Sequence, residues 1–431
     1  MKIVAFLPVK GTSERVENKN MKLMDGKPLF LHTLEKLVKC NFLDEVYLDS
    51  ESQKVFDIAS EIECKHIYRD PELATNKTDG HKLFYNEVKQ VDADIYVQIL
   101  CTSPFIKPET IERGIKILQE KPEYDSVVLM AKEKQYLWKE NQPIYDKYHI
   151  PNSKDLPDTM VETMGLYIIR KDVALKNKMR FGDKVYFLEA EAIEKIDVNY
   201  PDEFKLANYI AAGLREKERE MFTNLSKVLS SCMLSDILDD LNIDGVVSHM
   251  TLNLPQKRVL GRAKTLKLRK LKDNEAYEGI YDALTSYDTI VPNDIIVVEN
   301  ECKEFAYFGN LNASLAMRAG AVAAIIDGCT RDNLSTQDLD FPVFSRGYNC
   351  RDVRKRATVE SMNKTIKLGE IKVHPGDLIF ADSDGVIVIP RKYEQIVIER
   401  AIETINKEKN VINEIVLGRT AKNIVKEVGA F

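Results

Sequence analysis

"LPVKGTSERVENKN", Leu7 to Asn20, follows directly on the apolar run "MKIVAF". A strand-length apolar segment gives way at once to small, amide and charged residues. Such a loop can turn backbone N–H groups toward an anion while lysine and arginine add positive charge. Composition alone does not separate this cradle from a solvated basic loop. The stretch holds neither GxxxxGK[ST] nor GxGxxG, which excludes the Walker loop and the dinucleotide fingerprint.

Outward from it, short apolar runs ("KIVAFLPV", "EVYLD", "IYVQIL", "DSVVLMA") alternate with helical patterns ("LFLHTLEKLVKC", "SQKVFDIASEI"). This rhythm predicts a mainly parallel sheet covered by helices. Such sheets bind ligands beyond the carboxyl ends of their strands, so the loops after Val9, Asp49, Leu100 and Ile196 are where a site is expected.

The chain has 431 residues, 44% hydrophobic and 30% charged, with a net charge of −6. That length favours two domains, and the charge gives no basic surplus for a phosphate backbone, so nucleic acid is not an expected partner. Seven scattered cysteines, none in CxxC spacing, indicate neither a disulfide framework nor a zinc site. The N-terminal run is a strand and not a signal-peptide core, and no stretch is long and apolar enough for a span. A cytoplasmic protein without a membrane partner is expected.

From Pro201 to about Leu241 the pattern is helical, with an interruption expected near Thr223 and Asn224, and the charged "REKERE" is read as a connector. The boundary is placed at 220, giving domains 1–220 and 221–431. Beyond it, short β runs ("RVLGRAKTLKL", "DTIVPNDIIVVEN", "AVAAIIDG", "GDLIFADSDGVIVIP") are punctuated by Gly and Pro. Only Ser314 to Gly320 and the tail from Lys392 look strongly helical.

Three motifs in the first half, in order, resemble the sugar-acid cytidylyltransferases that make CMP-sialic acid and CMP-Kdo. "LPVKGTSERVENKN" resembles their opening I-P-A-R, G-[GS]-S-x-R/G and K-[NP]. "YVQILCTSPFIKPETIERGI" resembles L-L-Q-P-T-S-P-[LF], with Leu100 and Cys101 in place of Gln-Pro. "EKIDVNYPDEFKLAN" resembles D-I-D-[TS]-x-x-D-[LF]-x-x-A, with Asp197 matched and Asn199 where a second carboxylate is usual. The resemblance implies a Rossmann-like nucleotidyltransferase domain, a mainly parallel sheet with helices on both faces. It also implies CTP as substrate and Mg2+ (or Mn2+) as cofactor. Carried over by position, Leu7, Pro8, Val9, Lys10, Gly11, Ser13, Arg15, Lys19, Thr102 and Ser103 bind nucleotide. Lys10, Arg15 and Lys19 cradle the triphosphate, Asn20 closes the motif, and Asp197 and Asn199 hold metal. Lys10 keeps the charge of the family's arginine without its bidentate fork. Taken singly, an Asp before a helix is more often an N-cap than a metal ligand. Asp79 and His81 lie where the family places acceptor-side residues, and local turn chemistry is an equal reading of that pair.

The second half resembles the family of RraA proteins and 4-hydroxy-4-methyl-2-oxoglutarate aldolase. "YFGNLNASLAMRAGAVAAIIDGCTRD" follows its G-[ED]-L…D-G-x-x-R-D pattern, and "LSSCMLSDILDDL", "FPVFSRG" and "VHPGDLIFADSDGVIVIP" follow in order. The resemblance implies an RraA-like α/β domain with a helical tail. Arg331 would contact a 2-oxo acid, Asp332 would support a divalent metal, and the Gly309 to Leu311 loop would bind a carboxylate, with Asn310 replacing an acidic residue. A metal near the 2-oxo group would stabilise a pyruvate enolate. The family site is completed by a tail carboxylate from a neighbouring subunit, for which Glu399, Glu403, Glu408 and Glu414 are all available. Protein binding, as an inhibitor of an RNA-degrading enzyme, is the family's other role.

Together the halves imply a cytidylyltransferase that activates an anionic acceptor as its CMP conjugate, a 3-deoxy-2-ulosonic (sialic- or Kdo-like) acid, fused to a pyruvate aldolase- or decarboxylase-like lyase. The alternative is activation of a phosphonate or other non-sugar acid, with the RraA-like half as a non-catalytic assembly or protein-binding module. Dimers in one family and trimers or hexamers in the other imply a homo-oligomer, a trimer or a hexamer, and a fusion of both could close as a hexamer with dihedral symmetry.

Overall fold

The computed structural model describes residues 1–13, 16–75 and 77–428. It divides into two compact units, Met1–Ala211 and Ala212–Phe431.

In the first unit β1 (Ile3–Pro8), β2 (Glu45–Ser50), β3 (Lys65–Tyr68), β4 (Ile95–Ile99), β5 (Ser126–Glu133), β6 (Thr159–Arg170) and β7 (Val185–Glu189) build one sheet in the order β7-β5-β6-β4-β1-β2-β3. β6 runs antiparallel to β4 and β5, and the remaining pairings are parallel. Because helices cover both faces, β1 has no polar side to show water and reads as an unbroken apolar run. Ile3, Ala5, Leu7 and Val9 join α1 (Leu29–Leu37) and α4 (Pro108–Glu120) in one core. Val4 and Phe6 join Tyr96 and α3 (Gly80–Val88) in the other. Burying Phe6 completely contributes about 1.5–3 kcal/mol. Short helices α2 (Gln53–Ile58) and α5 (Lys171–Asn177) complete the layer, and α6 spans Pro201–Leu225.

In the second unit β8 (Val259–Lys270), β9 (Asp294–Asn300), β10 (Ala323–Thr330) and β11 (Val343–Tyr348) are parallel neighbours. On the other side of β8, β12 (Leu378–Ala381) and β13 (Val386–Ile389) add antiparallel strands. α7 (Ser231–Asp240) and the tail helix α10 (Glu394–Val416) cover Leu260, Phe380 and Ile387. α8 (Asn310–Ala319) covers the opposite part of the sheet with Ala313 and Ala316, ending at Gly320, whose φ of 102° favours glycine. α9 (Asn333–Asp338) follows β10, and α11 (Ala421–Val428) follows α10. Among the described residues no helix is long and apolar enough to cross a membrane.

Three expectations are corrected. α6 runs through Thr223 and Asn224, and the chain breaks only after Leu225. The Thr223 hydroxyl donates to the carbonyl of Arg219 one turn back, an in-helix bond, so it does not cap. α8 begins at Asn310 and not at Ser314, because Gly309 stands at its N-cap. α7 falls within the helical pattern expected up to Leu241, whereas α9 and a 3-10 segment over Tyr277–Thr289 add helix to the second half beyond the stretches expected. Their polar residues obscure the apolar stripe that packs inward.

Candidate functional site

β1 delivers the opening loop to the carboxyl edge of its sheet. Past Pro8, the Val9 N–H donates to the Asp49 carbonyl at 2.8 Å. Arg69, 5% exposed at the end of β3, donates to the Val9 carbonyl at 3.0 Å and to Glu51 at 2.9 Å. Glu51 accepts the Gly11 amide at 2.7 Å. A Cβ at Gly11 would stand 2.3 Å from the Cβ of Ser52, so the backbone approaches too closely for a larger residue. The Asn20 amide donates to the Lys10 carbonyl at 2.9 Å and closes the loop on itself. Both ends of the loop are therefore fixed by side chains. Ser13 is half-buried, and Arg15 lies outside the described residues.

The three motif segments meet in space. Lys19, buried, donates through Nζ to the Val198 carbonyl at 2.5 Å and lies 3.4 Å from Asn199 Oδ1. The Val198 N–H donates to the Thr102 carbonyl at 2.8 Å. Asn199 Nδ2 donates to Asp197 Oδ2, while Asp197 Oδ1 is buried without a hydrogen-bond partner. Asp197 does not cap α6. The amides of Asn199 and Tyr200 are taken instead by Glu203, at 2.7 and 3.0 Å. Ser103 is buried against Gly165, where a Cβ would stand 2.6 Å from its hydroxyl. Burial pushes the Cys101 thiol up to about 12 against the pull of Lys19, so it is inert at neutral pH.

Beneath the loop lies a buried acid pair that the motifs do not announce. Asp49 and Glu87 are fully buried, Arg69 stands 3.6 Å from Asp49, and Gln98 donates to Glu87. Both Asp49 oxygens and Glu87 Oε1 lack a donor. Burial, then the facing Asp49 carboxylate, hold the Glu87 carboxyl well above its ordinary range. Burial raises Asp49 too, with Arg69 opposing. The pair therefore holds a proton.

The acceptor-side candidates sit on α3. Asp79 is its N-cap, accepting the Lys82 N–H at 2.9 Å. His81 accepts the Arg180 N–H at 3.2 Å through Nδ1 and meets Phe181 edge-on.

In the second unit Arg331 and Asp332 follow β10 and face Gly309. The Arg331 N–H donates to the Phe308 carbonyl at 2.9 Å, and the Asn310 N–H donates to Asp332 Oδ2 at 3.2 Å. A Cβ at Gly309 would stand 2.6 Å from that oxygen. Arg331 pairs with Asp352 at 2.8 Å, a partner the motif does not include. Asp332 holds φ 56°, the left-handed region that Asp tolerates, and Leu311 is 78% exposed. Asp327 is buried between Lys303 and Arg346, both at 2.8 Å, apart from this pair. Among the tail carboxylates, Glu399 accepts from Gln395 and Glu414 pairs with Arg419.

Both sites offer hard oxygen donors suited to Mg2+, which keeps several waters and takes few carboxylates. The orphaned Asp197 Oδ1 fits such an ion bound together with a triphosphate, while Asn199 turns its Nδ2 to Asp197 and its Oδ1 to Lys19. Asp332, half-exposed, supplies one carboxylate. Among the described residues no group of three His, Cys, Asp or Glu side chains is arranged to hold a metal ion, so water and substrate would have to complete either ion.

Comparison with known proteins decides the family. Residues 4–196 match the family model described as Cytidylyltransferase, and residues 231–388 match the one described as Aldolase/RraA. The chain joins a cytidylyltransferase domain to an RraA-like domain. A Halalkalibacterium halodurans protein provisionally named 4-hydroxy-4-methyl-2-oxoglutarate aldolase is 28% identical over 44% of this chain and 85% of its own length. The CMP-N,N'-diacetyllegionaminic acid synthase of Legionella pneumophila is 31% identical over 27% of this chain and 53% of its own. The solved CMP:2-keto-3-deoxy-manno-octonic acid synthetase complexed with CTP is 17% identical, covering 49% of this chain and 99% of that one with a TM-score of 0.39. The chain spans about half the length of several curated cytidylyltransferases it matches, and 78% of one from Danio rerio. Arg69, Glu51, Asp352 and the Asp49–Glu87 pair were missed in the sequence. The only signal for Arg69 was a charged residue ending a strand.

Proposed function

We propose that the first half transfers CMP from CTP to an anionic acceptor, a 3-deoxy-2-ulosonic acid, with release of pyrophosphate. The observation that carries this reading is the Lys19 bond to Val198 beside Asn199, which joins the opening loop to the Asp197 segment. Lys10, Ser13, Arg15 and Lys19 hold the triphosphate, with Arg69 and Glu51 keeping the loop backbone in place. Asp197 and Asn199 would hold Mg2+, which would supply charge neutralisation on the phosphates. An acceptor hydroxyl oxygen bonds to the α-phosphorus and gives up its proton to solvent, the bond from that phosphorus to the bridging oxygen breaks, and pyrophosphate leaves with the bond's electron pair. Lys10 and Lys19 compensate the charge that gathers on the leaving group.

The RraA-like half acts on a 2-oxo acid. Arg331, oriented by Asp352, receives the carboxylate or oxo oxygen, the Gly309 to Leu311 backbone binds the acid group, and Asp332 holds the divalent metal. The two halves then act on one chemistry, since an ulosonic acid is a pyruvate unit joined to an aldehyde sugar. A second reading, assembly or protein binding by this half, is favoured by the exposed Ile402, Ile412, Ile415 and Val416 of α10. For the first half, Leu100, Cys101 and Asn199 favour a phosphonate or other acid as second choice.

The test is a mass-spectrometric screen for CMP conjugates formed from CTP, Mg2+ and a panel of sialic, Kdo-like and phosphonic acids, with oxaloacetate and 4-hydroxy-2-oxo acids assayed separately for pyruvate. A CMP conjugate supports the reading, and no turnover of any 2-oxo acid removes the lyase.

A further inference from the structure

Arg180 is a buried cation with no anion paired to it among the described residues. It is 7% exposed and its Nε has no hydrogen-bond partner. Among the described residues, no carboxylate forms an ion pair with it within 4.0 Å. One side of its guanidinium rests on the Tyr167 ring, 5.0 Å from the centroid. The other lies on the first turn of α3, where a Cβ at Gly80 would stand 2.3 Å from its Cζ.

That position is electrostatically adverse. A helix N-terminus carries the positive end of the dipole, and a buried charge is costly unless it is paired. The nearby acids are committed elsewhere. Asp79 takes the Lys82 N–H at 2.9 Å with Lys82 Nζ at 3.8 Å, and Glu162 takes the Tyr167 hydroxyl. His81 Nδ1 accepts the Arg180 N–H, which leaves its Nε2 as the donor in the neutral ring. Tyr167 pairs with Gln98 at the end of β4, so this cation stands at the carboxyl edge of the sheet, where ligands bind.

We propose that Arg180, with the His81 imidazole beside it, binds the anionic group of the acceptor acid and sets the enzyme's requirement for one. This rests on the acceptor reading above. The missing anion is a carboxylate or phosphonate oxygen group, which a guanidinium receives through two parallel N–H bonds.

The test is calorimetric titration of the full chain, with and without CTP and in the absence of metal. The probes are N-acetylneuraminate and Kdo for carboxylates and 2-aminoethylphosphonate for phosphonates. Wild type should bind at least one acid class, and Arg180→Met should weaken it roughly 10- to 100-fold with CTP affinity unchanged. Arg180→Lys should fall between them. Because the charge is unpaired without ligand, Arg180→Met should match or exceed the wild-type melting temperature. An Arg180→Met protein that binds acid normally, a wild type that binds none of the three probes, or a clear loss of ligand-free stability in Arg180→Met would each overturn the proposal. Arg180-dependent acid binding without pyrophosphate release from CTP would leave this subsite standing and remove the transferase reading.

Discussion

Lys19 Nζ donates to the main-chain oxygen of Val198 at 2.5 Å, joining two segments 179 residues apart in sequence. A buried ammonium held by a carbonyl beside Asn199 keeps the opening loop against the Asp197 segment. Lys19→Met should raise the KM for CTP at least roughly tenfold and lower stability by about 1–3 kcal/mol, because the Val198 carbonyl loses its donor. Pyrophosphate-release kinetics and thermal melts check both.

Asn199 donates to Asp197 and takes the place of a second carboxylate. Asn199→Asp replaces that donor by a like charge, so without metal the variant should melt lower than wild type. Mg2+ should restore it, and the Mg2+ concentration for half-maximal activity should fall several-fold. Melting curves with and without Mg2+, and a metal titration, check this.

Arg69 links the Val9 carbonyl, Glu51 and the buried Asp49. Arg69→Met leaves Asp49 without its cation, a loss of about 3–5 kcal/mol. Arg69→Met with Asp49→Asn should recover part of the stability and little of the CTP affinity, since the Val9 carbonyl stays unpinned. Chemical denaturation and CTP titration of the single and double variants separate the two effects.

The strands were legible because burial on both faces writes β1 as a continuous apolar run, and the order of the three motifs located Lys19, Thr102 and Asp197. The anchoring residues were not. Arg69 reaches Val9 across 60 residues, and Glu87 sits on a helix where a lone acid ordinarily faces water. Partners at that separation leave no local pattern. The start of α8 was read late because Asn310 and Asn312 look like loop, while Gly309 at the N-cap and the Asn310 amide bond to Asp332 begin the helix there.

The Glu87 carboxyl is held above its ordinary range by burial and by Asp49. A raised folded value means that the folded state keeps a proton which the unfolded chain releases. Stability is therefore full at acid pH and falls as pH rises from about 5 toward the folded value. Glu87→Gln supplies a permanent donor to Asp49 and should flatten that decline. Urea denaturation of both proteins across the pH range checks it, and parallel curves would contradict it.

In the proposed function Lys19 and Asp197 belong to one CTP site. Pyrophosphate release by the full chain with CTP, Mg2+ and the acid panel tests it most directly, with Lys19→Met and Asp197→Asn run beside wild type. Wild type should show acid-dependent release from CTP, with at least roughly tenfold loss in each variant. No acid-dependent release, or release undiminished in both variants, would contradict it.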